Sequence, residues 1–337
     1  MKKLFIAVLS MATLASCFQS EFAVDQAIDF NTYVGSTTKA IDPSINNDNI
    51  DEYSFYVWGT TQGDHADDAP IVPIFENVKV DYAGGVWAYG VEHTKYWIAG
   101  NKYNFAAVVN GEVKTLANGL PKTIDYTADG VTDLLYARST ADIVAKASGN
   151  DKVGFTFSHL LSKAVFTFTN TSDDKEDNLY VVENIQISGL GTKATYDIAT
   201  GWGDSTYDPA YVVDFGNIVE TATEGGAPAV AVSNVPLKSN YERLLIPGAH
   251  TITITCIIKL YLNGSYDPAN PDANRGQRIE YEKTFDVTLA PGTAYNFALS
   301  AGLNEEIDFK VNKVNDWANG NIADSDGDGV NDQYPIL

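Results

Sequence analysis

Three aspartates at alternate positions, Asp324, Asp326 and Asp328, open the run Asp324-Ser325-Asp326-Gly327-Asp328-Gly329-Val330-Asn331-Asp332. Carboxylates at this spacing converge on a hard cation, and glycine permits the sharp turn between them. Asp332, at the ninth loop position, supplies a fourth oxygen. The twelfth position, where a full loop carries a bidentate Glu, is Pro335. The chemistry expected of this tail is weak Ca²⁺ binding, at about 10⁻⁴–10⁻³ M as in extracellular modules. The competing reading is a solvated acidic tail. No other cofactor is expected.

No other constellation carries chemistry. His65, His93, His159 and His250 are far apart and have no metal-ligand spacing. His159 follows a strand pattern and reads as a packed structural residue. Gly203-Asp204-Ser205 lacks the G-x-S-x-G elbow of a serine hydrolase and reads as a turn. Asp67-Asp68, Asp173-Asp174 and Glu305-Glu306 could pose as glycosidase carboxylates. In a chain with 44 acids such pairs arise by chance, and solvated loops are expected. Trp58, Trp87, Trp97 and Trp202 could form a sugar platform, but tryptophans in short strands are more often core. No catalytic residue is expected, and the chain reads as a non-enzyme.

The other reactive group is Cys17. Lys2 and Lys3 precede the mostly apolar run Leu4–Leu14, and small residues lead into Leu14-Ala15-Ser16-Cys17. This is the plan of a secretory signal, and the run is far short of the ~20 residues that span a bilayer. The L-A-S-C arrangement resembles the bacterial lipoprotein signal, so Cys17 is the expected lipidation site and residues 1–16 the signal peptide. An ordinary signal peptide that contains a cysteine is the alternative. Residues 1–16 carry two lysines and no acid, so their removal takes the formal charge two units below the −22 of the whole chain. So acidic a chain does not seek nucleic acid or an anionic membrane surface. With Cys17 lipidated, Cys256 has no disulfide partner and reads as a small buried hydrophobe.

The elements that position these groups are short strands. Tyr, Phe, Val, Ile and Thr are frequent, and Gly, Asn and Asp interrupt them often. Ala27–Phe30 opens a first strand, with Ile28 and Phe30 on one face and Asp29 and Asn31 on the other. Tyr53–Trp58, Val78–Tyr82, Val86–Tyr89 and Tyr103–Val109 follow. Ala83-Gly84-Gly85 and Asn110-Gly111 mark turns. Ser139–Ala147 reads as one or two helical turns. Ser148-Gly149-Asn150-Asp151, small and polar, is the expected domain boundary. Beyond it, Val153–His159 and Ala164–Asn170 alternate at period two. Further strands are expected at Val181–Ile187, Tyr211–Phe215, Thr251–Leu262, Ile279–Thr288, Ala294–Leu299 and Ile307–Val311. The fold class is all-β, of the β-sandwich kind.

Several of these segments together resemble the fimbrillins, the FimA/Mfa-like pilins of type V pili. Phe157-Ser158-His159 with Leu161-Ser162-Lys163-Ala164 is similar to their F-x-H-x-x-(small)-K stretch. Tyr196–Trp202 resembles their Y-D-(apolar)-x-T-G-x-W segment. Pro291–Leu299, Ile307–Val311 and Asp316-Trp317 match the end of the family, and Phe55–Gly59, Thr38–Ala40 and Asp133–Ala137 match more loosely. The resemblance implies two tandem transthyretin-like β-sandwich domains after a lipoprotein signal peptide. Together with the lipobox and the Ser148–Asp151 boundary, it divides the chain into a signal peptide (1–16), a lipidated segment or propeptide (17–39), an N-terminal sandwich (40–150), a C-terminal sandwich (151–317) and an acidic tail (318–337).

The resemblance also implies a pilus subunit, anchor or accessory protein on the outer surface. Such a protein assembles with other pilin subunits by donor-strand exchange, supports adhesion to a host or bacterial surface receptor, and is held at the cell outer membrane by its lipid. In stalk pilins a protease cuts after a basic residue, usually Arg, and frees the first strand. Here Lys39 is the sole basic residue between Cys17 and Lys79, so Lys39-Ala40 is the candidate cut, and Ile307–Val311 is the candidate donor. An uncut, membrane-retained anchor is the alternative pilus role. The rival function is a carbohydrate-binding surface lipoprotein.

Overall fold

The computed structural model describes residues 22–34, 43–63, 69–139, 142–219, 227–231, 235–262, 266, 276–303 and 305–316. Cys17, Lys39, Ala40, His65, Asp67, Asp68 and the tail with Asp324, Asp326, Asp328 and Asp332 lie outside them. The described residues form strands and two single-turn 3-10 helices, Ile50–Glu52 and Val91–His93, so the chain is all-β. No helix among them is long and apolar enough to cross a membrane.

The largest sheet runs in the order Phe30–Val34, Val153–His159, Leu135–Arg138, Lys102–Val109, Phe55–Gln62, Ile71–Ala83, Val86–Ala88, with Ile143–Val144 paired to Lys102–Val109. One face buries Phe30, Phe55, Phe75, Phe105, Phe155 and Phe157. Trp97 joins this core from the short strand Tyr96–Ile98, which pairs with Phe22–Ala27. The opposite face of the central strands is buried as well. Trp58, Ala106 and Val108 pack on Leu120, Ile124 and Tyr126 of a second sheet. A strand covered on both sides loses polar alternation, which is why Ala106-Ala107-Val108-Val109 is apolar throughout and wholly buried. Gly59 lies where a Cβ would come within 2.7 Å of the Phe105 ring, so the close approach of these layers requires glycine there.

That second sheet crosses between the two halves of the chain. Leu120–Thr127 pairs antiparallel with Gly191–Asp197, from Lys193 opposite Thr127 to Asp197 opposite Thr123. Leu160, Leu161, Ala194, Leu244 and Ile246 of the second half share its core with Trp58 and Leu134 of the first. The remaining strands form two further sheets. In one, Ser162–Asn170 lies parallel to Thr293–Ala301, which pairs with Asp308–Asp316. In the other, the order is Val212–Gly216, Asn178–Ser188, Gly248–Leu262, Gln277–Leu289. Between them Phe166, Phe215, Phe297, Ile252, Ile254 and Ile258 are completely buried.

Two expectations are corrected. The boundary does not fall at Ser148–Asp151. Val153–His159 belongs to the first sheet, where Val153, Phe155 and Phe157 enter its core, and the chain passes to the second half at Leu160-Leu161. Period-two alternation identifies a strand but not the sheet that takes it. The polar stretch is instead a turn within the first unit, held where Asn150 N donates to Gln26 Oε1 at 2.8 Å. Within Ser139–Ala147 the described element is the short strand Ile143–Val144 rather than a helical turn. The hairpin at Ala83–Gly85 forms with Gly84 and Gly85 both at positive φ, as its tight turn requires.

Candidate functional site

After the short strand Phe22–Ala27 the chain enters its first strand of the largest sheet, Phe30–Val34, which sits at the sheet edge and runs parallel to Val153–Phe157, Phe30 opposite Val153 and Val34 opposite Phe157. Parallel partners cannot be joined by a hairpin, so no turn ties this strand to its neighbour. On the other side of Val153–His159, only Ser158 and His159 pair with Leu135-Tyr136. The ladder of Val153–Phe157 is thus made with the first strand.

Its side chains alternate as the sequence requires. Ile28, Phe30 and Val34 are fully buried, while Asp29, Asn31 and Tyr33 face water. The Phe30 ring lies 5.6 Å from Phe155, 5.4 Å from Phe75 and 5.9 Å from Phe105, centroid to centroid. Polar contacts close both ends. Tyr89 Oη donates to the Ile28 carbonyl at 2.6 Å and Val153 N donates to the Asp29 carbonyl at 2.7 Å. Burial, with a smaller contribution from the Asp29 charge, pushes the Tyr89 phenol up to about 12. Val34 N donates to Asn47 Oδ1 at 2.7 Å. Removing residues 22–34 would open an apolar groove lined by Phe75, Phe105 and Phe155, with the Val153–Phe157 backbone along one side.

The groove floor is anchored by the histidine of the motif. His159 Nδ1 lies 2.8 Å from Asp133 Oδ2, both side chains buried, and Ile45 N donates to the same oxygen at 2.9 Å. Four residues on, the motif lysine forms a second buried pair, Lys163 Nζ to Glu242 Oε2 at 3.2 Å. The histidine pair lies within the first half and the lysine pair within the second, on either side of Leu160-Leu161. Sequence reasoning missed Asn47, Tyr89 and Asp133 as neighbours of the groove. The Asn46-Asn47-Asp48-Asn49 run signals a turn, but nothing local shows what that turn faces.

The candidate donor is occupied within its own half. Ile307 and the strand Asp308–Asp316 pack Ile307, Phe309 and Val311 half-buried on the second core, with Phe309 4.9 Å from Phe285. It is an edge strand with the same tripeptide as the groove strand: Ile28-Asp29-Phe30 and Ile307-Asp308-Phe309.

The remaining candidates do not converge. Trp58, Trp87 and Trp97 are buried, and Trp202 is half-buried with its Nε1 donating to the Leu160 carbonyl at 2.7 Å, so they form no platform. Asp173, Asp174, Glu305 and Glu306 are exposed, and Gly203-Asp204-Ser205 links two short strands. Among the described residues no three His, Cys, Asp or Glu side chains are placed to share a metal. Cys256 is buried, and burial pushes its thiol up to about 12.

A family model described as fimbrillin-like matches residues 38–317, and the chain belongs to that family. Its fold is similar to that of a fimbrial protein from Bacteroides vulgatus, at 15% identity and a TM-score of 0.59 over 86% of this chain and 99% of the other. A candidate cell adhesion protein from Bacteroides ovatus aligns at 16% identity and a TM-score of 0.49, covering 87% of this chain and 98% of that one. No curated protein matches the sequence.

Proposed function

We propose that this chain is a fimbrial subunit of the bacterial outer surface that assembles by exchanging its first strand for a strand of another copy. The observation that carries this reading is the placement of Phe30–Val34. It is an edge strand, tied by no hairpin, and it is the ladder partner of Val153–Phe157. Ile28, Phe30 and Val34 each contribute about 1.5–3 kcal/mol of burial that an empty groove would lack. The bare strand edge would also leave backbone donors and acceptors unpaired. An extended segment from a second copy satisfies both needs. Ile307–Val311 is the candidate donor, because its apolar residues alternate with Asp308 and Lys310 as Ile28 and Phe30 do with Asp29 and Asn31.

In this reading Cys17 carries the lipid that brings the chain to the outer membrane. A cut at Lys39-Ala40 releases the strand, giving a stalk subunit; without the cut the chain is an anchor. The outer surface of the assembled fimbrium meets host or bacterial receptors. Ca²⁺ bound by Asp324, Asp326, Asp328 and Asp332 relieves repulsion in the tail, and calorimetry with millimolar Ca²⁺ tests that part alone. The test of assembly is trypsin-like cutting of wild type and Lys39→Gln. Wild type should form oligomers that resist SDS and Lys39→Gln should not. Monomers that persist after complete cutting would overturn the reading.

A further inference from the structure

We propose that the turn Asn46–Asn49 is the register stop of the groove, and that Asn47 Oδ1 is the atom that fixes where the occupying strand ends. The inference rests on the strand-exchange reading for the identity of the occupant, but not for the contact itself.

A five-residue ladder resists a slide of one residue, because every side chain would change face, but a slide of two keeps the alternation. Phe30, Thr32 and Val34 all point to the same side, so backbone pairing alone does not choose among them. A contact at one fixed point does. Val34 N donates to Asn47 Oδ1 at 2.7 Å, a side-chain acceptor at the last residue of the strand rather than one more rung.

The acceptor is held independently of the strand. Asn46 N donates to Asn49 Oδ1 and Asp48 N to Asn46 Oδ1, each at 2.7 Å, and Ile50 N donates to the Asn46 carbonyl at 2.8 Å. Beneath the turn Ser44 and Ile45 are completely buried, and Ile45 N donates to Asp133 Oδ2, the oxygen that also meets His159. His159 ends the strand on which the first strand lies. Turn and groove floor are therefore joined through Asp133, and the stop keeps its place when the groove changes occupant. Asn47 itself is exposed, so its substitution leaves the core untouched.

The experiment has two arms. In the uncut full chain, amide exchange is resolved at single residues for wild type, Asn47→Ala and Asn47→Asp. Asn47→Ala should speed exchange at Val34 by roughly tenfold while Phe30–Tyr33 keep their rates, and Asn47→Asp, which retains an oxygen acceptor, should restore protection. An unchanged Val34, or an equal rise along Phe30–Val34, would overturn the proposal. In assembled material, cross-links mapped by mass spectrometry should show one donor register for wild type and at least two for Asn47→Ala. A single register in Asn47→Ala would also overturn it. If wild type never assembles, the strand-exchange reading fails, while the Val34 exchange still decides the role of the turn.

Discussion

Phe30 stacks on Phe155 across a parallel strand pair, ring centroids 5.6 Å apart and planes 20° from parallel. One ring belongs to the most N-terminal described part of the chain and the other to a strand beyond its first third, so this contact closes the first core. Replacing Phe30 with Ala removes the central side chain of the groove and should cost about 3–5 kcal/mol. Tyr33→Ala, on the exposed face of the same strand, should cost less than about 0.5 kcal/mol. Urea unfolding of the two variants checks the contrast, and equal losses would mean that the strand is not seated as described.

The Asp133–His159 pair is buried together with Ile45 N. Removing one partner of such a pair leaves the other stranded in an apolar setting and typically costs about 3–5 kcal/mol. Asp133→Ala should destabilise by about that amount, and His159→Ala in the Asp133→Ala background should cost much less than alone. A double-mutant cycle measures the difference, and additivity would show that the two side chains act separately.

Tyr89 gives a pH dependence with a definite sign. Its folded value, about 12, lies above the ordinary 10.0, so the folded state favours the neutral phenol. The stability from this group is fully present below about pH 10 and is lost as pH rises toward 12. Tyr89→Phe has no phenol to ionise, so its stability should fall less steeply than wild type across that window. Parallel slopes in denaturation between pH 10 and 12 would refute the assignment.

Cys256 should be unreactive in the native chain. Its thiol is buried and its ionisation is pushed up to about 12, so almost no thiolate exists at pH 8. Peptide mass mapping after alkylation at pH 8 should find Cys256 unlabelled in native protein and labelled in urea. Rapid native labelling would show that the strand Gly248–Leu262 opens readily.

Much of this arrangement was legible in the chain. The alternation of Ile28 and Phe30 against Asp29 and Asn31 gave the first strand its correct faces, and Val153–His159 was recognisable as a strand. Its sheet was not, because alternation is a local property and pairing is not. The flexible composition of Ser148–Asp151 suggested a boundary where the chain makes only a turn. His159 was read correctly as structural, but its partner Asp133 lies 26 residues earlier and Ile45 farther still. Asn47 carries no signal of its role beyond an asparagine-rich turn. Trp58, Trp87 and Trp97 followed their size into the core, and Trp202 is half-buried against Tyr126 and Tyr196.

If the first strand is replaced on assembly, the composition of the assembled fimbrium records the exchange. Filaments recovered from the cell surface are dissociated and the intact mass of this chain is measured. Chains in the filament should begin at Ala40 and lack residues 22–34. Filaments built from chains that retain residues 18–39 would contradict it.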